Sequence, residues 1–253
     1  MKELQEFGSE FKIVGQLLDS EQISSLQRTE EWYTIRRGKF TGSNMKLLMG
    51  CGRASSKMPW TTNDKIVDFG ATAEKYIYGV GGERTTGCYS MQIDSKQMQY
   101  GRMNEIILIN KLLKDNIISN YEAKSFELFY KNAGASVDGL CVFKNEEMCL
   151  EVKCTVSWDG HYERMYEEQV DQTHCDFWQM QAEMMAAGTD KCLYVVAYPM
   201  TIEKYKYQIV NASKIHQKAI MQRCQIADEA IKLWNTHSYT DSLKIACQNF
   251  KFD

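Results

Sequence analysis

The chain has 253 residues, 44% of them hydrophobic, and a formal net charge of −3, which is enough apolar material for one large core. That charge excludes the overall basic footprint of a protein that coats nucleic acid, so any such contact has to be local. No stretch approaches the roughly 20 apolar residues that cross a bilayer, and Met1-Lys2-Glu3-Leu4-Gln5-Glu6 lacks the apolar segment of a secretory leader. A cytoplasmic protein with no membrane partner is expected. Nine cysteines stand singly with no Cys-x-x-Cys pair, a pattern of reduced thiols that speaks against zinc and iron–sulfur centres.

In chain order, residues 4–20 have apolar residues at mixed spacing and read as an irregular or short helical N-terminal extension. Residues 25–44 read as a helix, a turn at Gly38, and a second helix starting near Ser43, with Thr41 or Ser43 as its cap. A helix N-terminus beside Arg36 and Arg37 makes an anion site, where backbone N–H groups, a hydroxyl and a guanidinium fork can meet one phosphate. Residues 51–62 are small and polar, a loop before a helix capped near Asn63, with Trp60 as an anchor. That helix is expected to end at Gly79, Gly81 and Gly82, which lack the spacing of a nucleotide-binding loop and read as a flexible segment.

Residues 97–115 form a long amphipathic helix with Met98, Met103, Ile106, Ile107, Ile109, Asn110 and Leu113 on one broad face and Glu105 beside it. A strand over 125–130 and a turn at 131–134 follow. Residues 155–168 read as a loop or lid whose His161, like His174 beyond it, has no ligand partner at useful spacing. A Trp- and Met-rich core helix is expected over 173–187, stopped by Gly188. Strands at 192–198 and 205–210 and a long helix over 212–234 complete the pattern.

The chemistry concentrates in residues 136–153, two strands joined by a polar turn at 144–147. Strand alternation points Glu151 and Lys153 the same way while Leu150 and Val152 pack, and hairpin pairing brings Asp138 to the same edge. Two converging carboxylates repel unless a hard cation lies between them, and oxygen ligands suit magnesium or manganese. Asp-Gly turns and Glu-x-Lys strands are also common on solvated sheets. Here the run Cys149, Leu150, Val152, Cys154 is that of a strand buried on both faces, where charges need a reason.

Five pieces occur in order: Trp32-x3-Arg36-x-Gly38-x2-Thr41-x-Ser43, Gly101-x3-Glu105, Ser136-x-Asp138-Gly139-Leu140, Leu150-Glu151-Val152-Lys153-Cys154 and Gln179-Met180-Gln181. Together they resemble the PD-(D/E)xK nuclease superfamily, and more closely its YqaJ-like viral recombinases, the phage-type alkaline exonucleases that include the lambda exonuclease. The resemblance covers roughly residues 31–199. Val137 stands where the superfamily name places proline, a difference of strand geometry and not of ligands.

The resemblance implies an α/β, restriction-endonuclease-like core: a central mixed β-sheet flanked by helices, with a helical N-terminal elaboration and a long C-terminal helix. It implies one nuclease domain, with an extension over 1–30, the core over 31–210 and a helix and tail over 211–253. Asp138, Glu151 and the Val152 carbonyl would hold Mg2+ (or Mn2+), two ions per site, Glu105 would bind or orient from the neighbouring helix, Lys153 would orient or activate the attacking water, and Gln179 would hold that water or the lysine. Arg36 and Ser43, with Arg37 and Asn44 beside them, would take the 5′-phosphate of duplex DNA. The expected activity is a 5′→3′ exonuclease that leaves a 3′ single strand for recombination. A ring-shaped trimer, a single-strand annealing partner and, for a phage-encoded protein, the host cytoplasm come with it. An endonuclease of the same fold and a non-catalytic DNA-end binder are the alternatives.

Overall fold

The computed structural model describes residues 30–50, 69–89, 95–165 and 170–251. The expected N-terminal extension, the 51–62 loop with Trp60 and the helix start near Asn63 lie outside them. In chain order the elements are α1 (Glu30–Arg36), β1 (Phe40–Thr41), a 3-10 turn (Gly42–Asn44), α2 (Met45–Leu48), α3 (Ala71–Thr86) and α4 (Lys96–Lys114). Next come β2 (Ser119–Glu122), β3 (Phe126–Tyr130), β4 (Ala133–Ser136), β5 (Gly139–Phe143) and β6 (Glu146–Cys154). The remainder is α5 (Trp158–Met165), α6 (Phe177–Ala187), β7 (Lys191–Ala197), β8 (Tyr205–Asn211), α7 (Lys214–Leu233) and α8 (Tyr239–Asn249).

The main sheet is mixed, in the order β2-β5-β6-β7-β8, and β1-β4-β3 form a separate three-stranded sheet. The predicted hairpin is β5–β6, antiparallel, with Gly139 opposite Leu150; the turn residues Lys144 and Asn145 have positive φ. β6 then pairs in parallel with β7, Glu151 opposite Tyr194 and Lys153 opposite Val196. Met148 through Val152 are all buried, as expected for a central strand covered on both faces. One face packs Leu150 and Val152 against Leu108, Ile109 and Leu112 of α4. On the other, Cys149, Tyr194 and Val196 pack against Met180 and Met184 of α6. α6 is thus the core helix its composition predicts, ending at Gly188 in the left-handed region.

Several boundaries differ from the sequence reading. α3 runs straight through Gly79, Gly81 and Gly82 to Thr86, so these glycines are neither a terminus nor a loop. The reason is packing: a Cβ on Gly81 would lie 2.1 Å from the Trp234 ring, so only glycine lets α3 and the end of α7 come this close. Met98 and Met103 of α4 are exposed; Leu108, Ile109, Asn110 and Leu112 make its buried face. The predicted loop after β6 contains α5, and the residues beyond α7 contain α8. Neither Thr41 nor Asn44 makes a side-chain capping bond, and the second helix is only a 3-10 turn and the four residues of α2. No helix among the described residues is long and apolar enough to cross a membrane.

Candidate active site

The site grows from the fork between β5 and β6. Asp138 sits just before β5, and its carboxylate accepts the Val152 backbone N–H at 2.7 Å, while its carbonyl accepts the Tyr121 hydroxyl at 2.5 Å. The aspartate is thereby locked beside Glu151, whose side chain is buried within the same strand pair. Glu151 and Lys153, two residues apart on β6, share a face and form an ion pair. α6 crosses that face. Gln179 donates from Nε2 to Glu151 Oε1 at 2.7 Å and accepts from Lys153 Nζ at 3.3 Å.

The electrostatics are those of crowded acids. Burial, then the charges of Glu151 and Glu105, push the Asp138 carboxyl well above its usual range, against the pull of Lys153 and the Val152 N–H. Burial lowers the Lys153 ammonium, but Glu151, Asp176 and Asp138 together raise it well above its ordinary value. Lys153 is therefore a cation at neutral pH. Glu151 Oε2 is buried with no hydrogen-bond partner among the described residues. A buried unpartnered carboxylate oxygen beside a second carboxylate raised by that same charge is a donor set for a hard divalent cation, so the residues fit Mg2+ or Mn2+.

Lys153 and Glu105 open onto a cleft of about 690 Å³ whose lining includes Trp32, Arg36, Ser43, Arg102 and Arg164. Among the described residues its charged lining groups are four cations and one acid, a local basic surface on a chain of net charge −3. The Arg36 guanidinium stacks 3.9 Å from the Trp32 ring, lies 5.4 Å from that of Phe126 and donates to Ser136 Oγ at 3.1 Å. Trp32 Nε1 donates to the same hydroxyl at 3.2 Å. Ser136 thus ties the arginine to the strand that leads, two residues later, to Asp138. The turn at Gly38, φ +65° with a Cβ position 2.6 Å from the Arg84 side chain, returns the chain from α1 into β1.

The other sequence-predicted residues divide. Ser43 lines the cleft. Arg37 turns away from it, stacking on Tyr89 at 4.4 Å and donating to its hydroxyl at 3.0 Å, and Asn44 donates to Thr41 Oγ1 at 3.3 Å. The expected helix N-terminus is short, because α2 has a single turn; of the residues expected to form an anion site, Arg36 and Ser43 line the cleft. His174 does have neighbours of ligand type: His174, Cys175 and Asp176 bring ligand atoms within 4.8 Å of one another. They are engaged otherwise. His174 accepts from the Asp176 N–H and meets the Arg164 carbonyl, and Asp176 accepts from Tyr194 at 2.6 Å and pairs with Arg164 at 3.0 Å.

Two contributors escape sequence reasoning. Ser136 is visible there only as part of a motif. Glu183 lies one turn beyond Gln179 on α6, fully buried, and accepts a second bond from Gln179 Nε2 at 2.7 Å. Burial and the Glu151 charge raise its carboxyl well above the usual range. The signal was the i, i+4 spacing of Gln179 and Glu183, which puts both on one helix face.

A family model for the YqaJ-like viral recombinase domain matches residues 31–190, the span from α1 to the end of the α6–β7 connection. The chain belongs to that family. No curated protein matches it. Among solved structures it is similar to the alkaline exonuclease LHK-Exo from Laribacter hongkongensis, at 18% identity and a TM-score of 0.64. The same enzyme in complex with dAMP gives 19% and 0.66, and in both cases 86% of this chain and 100% of that one are covered. A phage related exonuclease from Haemophilus somnus gives 12% and 0.55, over 85% of this chain and 96% of that one. At such identities the likeness concerns the fold, and it agrees with the α/β architecture of a mixed sheet between helices.

Proposed function

We propose that this viral recombinase-family chain is a single nuclease domain acting as a Mg2+-dependent 5′→3′ exonuclease on linear duplex DNA, leaving a 3′ single strand. The observation that carries the reading is one continuous site. Glu151, Lys153 and Gln179 are joined by direct bonds, the Val152 N–H holds the Asp138 carboxylate beside them, and Lys153 and Glu105 share a cleft with Arg36 and Ser43.

Asp138, Glu151, Glu105 and the Val152 carbonyl would hold the cation, two ions being the expected number. When bound, such ions stabilise the attacking and leaving oxygens of an in-line phosphodiester displacement. The chain's own groups do the rest. Lys153, cationic and fixed between Glu151 and Gln179, orients the attacking water and neutralises charge that grows on the scissile phosphate. The Gln179 amide sets the lysine's direction. Arg36, preoriented by Trp32 and Ser136, offers its fork to a terminal 5′-phosphate with the Ser43 hydroxyl beside it, which fixes the register of cutting. The reading also carries a ring-shaped homotrimer around duplex DNA and a single-strand annealing partner, both open to sedimentation and pull-down.

The test is a linear duplex and a covalently closed circle incubated side by side with Mg2+. The linear molecule is degraded and the circle is left intact. Cutting of the circle makes the protein an endonuclease of this fold, and end binding without any product makes it a non-catalytic binder.

A further inference from the structure

We infer that Glu183 is a positioning residue that fixes which way the Gln179 amide faces, and through it the direction of Lys153; the functional consequence rests on the nuclease reading above. Gln179 Nε2 carries two protons. One goes to Glu151 Oε1 and the other to Glu183 Oε1, each at 2.7 Å. With both donors committed to carboxylates, the amide oxygen is left to face Lys153 Nζ at 3.3 Å.

The opposite orientation is excluded by chemistry. Exchanging the amide N and O would set a carbonyl oxygen against the Glu151 carboxylate and an NH2 group against the Lys153 ammonium, acceptor to acceptor and donor to donor. Glu151 alone satisfies one proton and leaves the other without a protein acceptor in a half-buried setting. Glu183 supplies the second acceptor from the same helix, where i, i+4 geometry makes the pairing independent of substrate. Its surroundings suit this one role, since Glu183 is 0% exposed and its Oε2 has no hydrogen-bond partner among the described residues. On a core helix otherwise lined with Met180, Met184 and Ala182, this fully buried acid has its side-chain hydrogen bond with Gln179.

The experiment is a double-mutant cycle with an NMR readout. Glu183→Met removes the acceptor at similar length, Glu183→Gln keeps an acceptor oxygen, and each is made with and without Gln179→Met. In 15N-resolved spectra the two Gln179 side-chain amide protons of the intact protein resonate as hydrogen-bonded and exchange slowly. Glu183→Met releases one of them and Glu183→Gln retains it. On linear duplex DNA, Glu183→Met lowers kcat roughly 10-fold, within the range for partners that orient site groups, with KM unchanged. Glu183→Gln recovers most of that loss, and in the Gln179→Met background Glu183→Met adds less than about twofold, as expected for two residues acting as one unit. Equal losses in both backgrounds, or an unchanged Gln179 amide spectrum in a folded Glu183→Met protein, overturn the inference. If the unmutated protein leaves DNA intact, the nuclease reading fails, while the amide spectrum still decides the role of Glu183.

Discussion

Arg36 offers the sharpest quantitative prediction. Its guanidinium is preoriented within the cleft, stacked 3.9 Å from Trp32 and bonded to Ser136 Oγ at 3.1 Å. A hydrogen bond to a charged group contributes about 1.5–3 kcal/mol, and about 1.4 kcal/mol is tenfold in rate. Arg36→Ala is therefore expected to reduce the preference for 5′-phosphate over 5′-hydroxyl ends by roughly 10- to 150-fold. Ser136→Ala keeps the charge and the stacking on Trp32 but loosens the guanidinium's direction, so it reduces the preference by less than Arg36→Ala does. The assay is kcat/KM on linear duplexes that differ only in the terminal group. Arg37→Ala leaves the ratio unchanged, because that guanidinium lies on Tyr89. An intact phosphate preference in Arg36→Ala, or a larger loss in Arg37→Ala, refutes the assignment.

Three further outcomes follow from the same geometry. Lys153→Ala lowers kcat roughly 10²–10³-fold, the usual range for removing a preorganised charge-stabilising group, with much smaller change in DNA affinity; a rate within a few-fold of wild type would remove Lys153 from the chemistry. Asp138 and Glu183 have raised carboxyls in the folded state, so the fold binds more protons than the unfolded chain, and their stabilisation is present at low pH and lost as pH rises through the raised values. In chelator, the melting temperature thus falls as pH rises above the ordinary carboxylate range; Mg2+ restores it and Glu183→Gln flattens the fall, whereas a slope unchanged by Glu183→Gln contradicts the assignment. Gly81→Ala drives a methyl into Trp234 and costs about 1–3 kcal/mol, a loss of several degrees in melting temperature by calorimetry; an unshifted melt means the ring moves aside.

The β5–β6 hairpin and its three charges were legible in the sequence because alternation on a strand is rigid: once Leu150 and Val152 are inside, Glu151 and Lys153 must share the other face. The core helix over 177–187 and the strands β7 and β8 were legible for a similar reason, their apolar runs being long, whereas β4 begins inside the expected turn at 131–134. What escaped depended on partners distant in the chain. Gly79, Gly81 and Gly82 look like a helix end on local propensity, and only the approach of Trp234, some 150 residues later, shows why glycine stands at 81 within the helix. β2 and β1 are too short to carry a pattern, so the division into two sheets was hidden. α5 is polar on most sides, with only His161 and Met165 buried, and so resembles a loop. Glu183 was overlooked because acids on exposed helix faces are ordinary; its burial comes from β6 lying across α6.

The nuclease assignment is tested most directly by hydrolysis of a linear, 5′-phosphorylated duplex in Mg2+, labelled at either end and compared with Glu151→Ala under the same conditions. Release of the 5′ label as mononucleotide ahead of the 3′ label, abolished by Glu151→Ala or by chelation, is the predicted result. Degradation by Glu151→Ala at the wild-type rate, or loss of the 3′ label first, would contradict it.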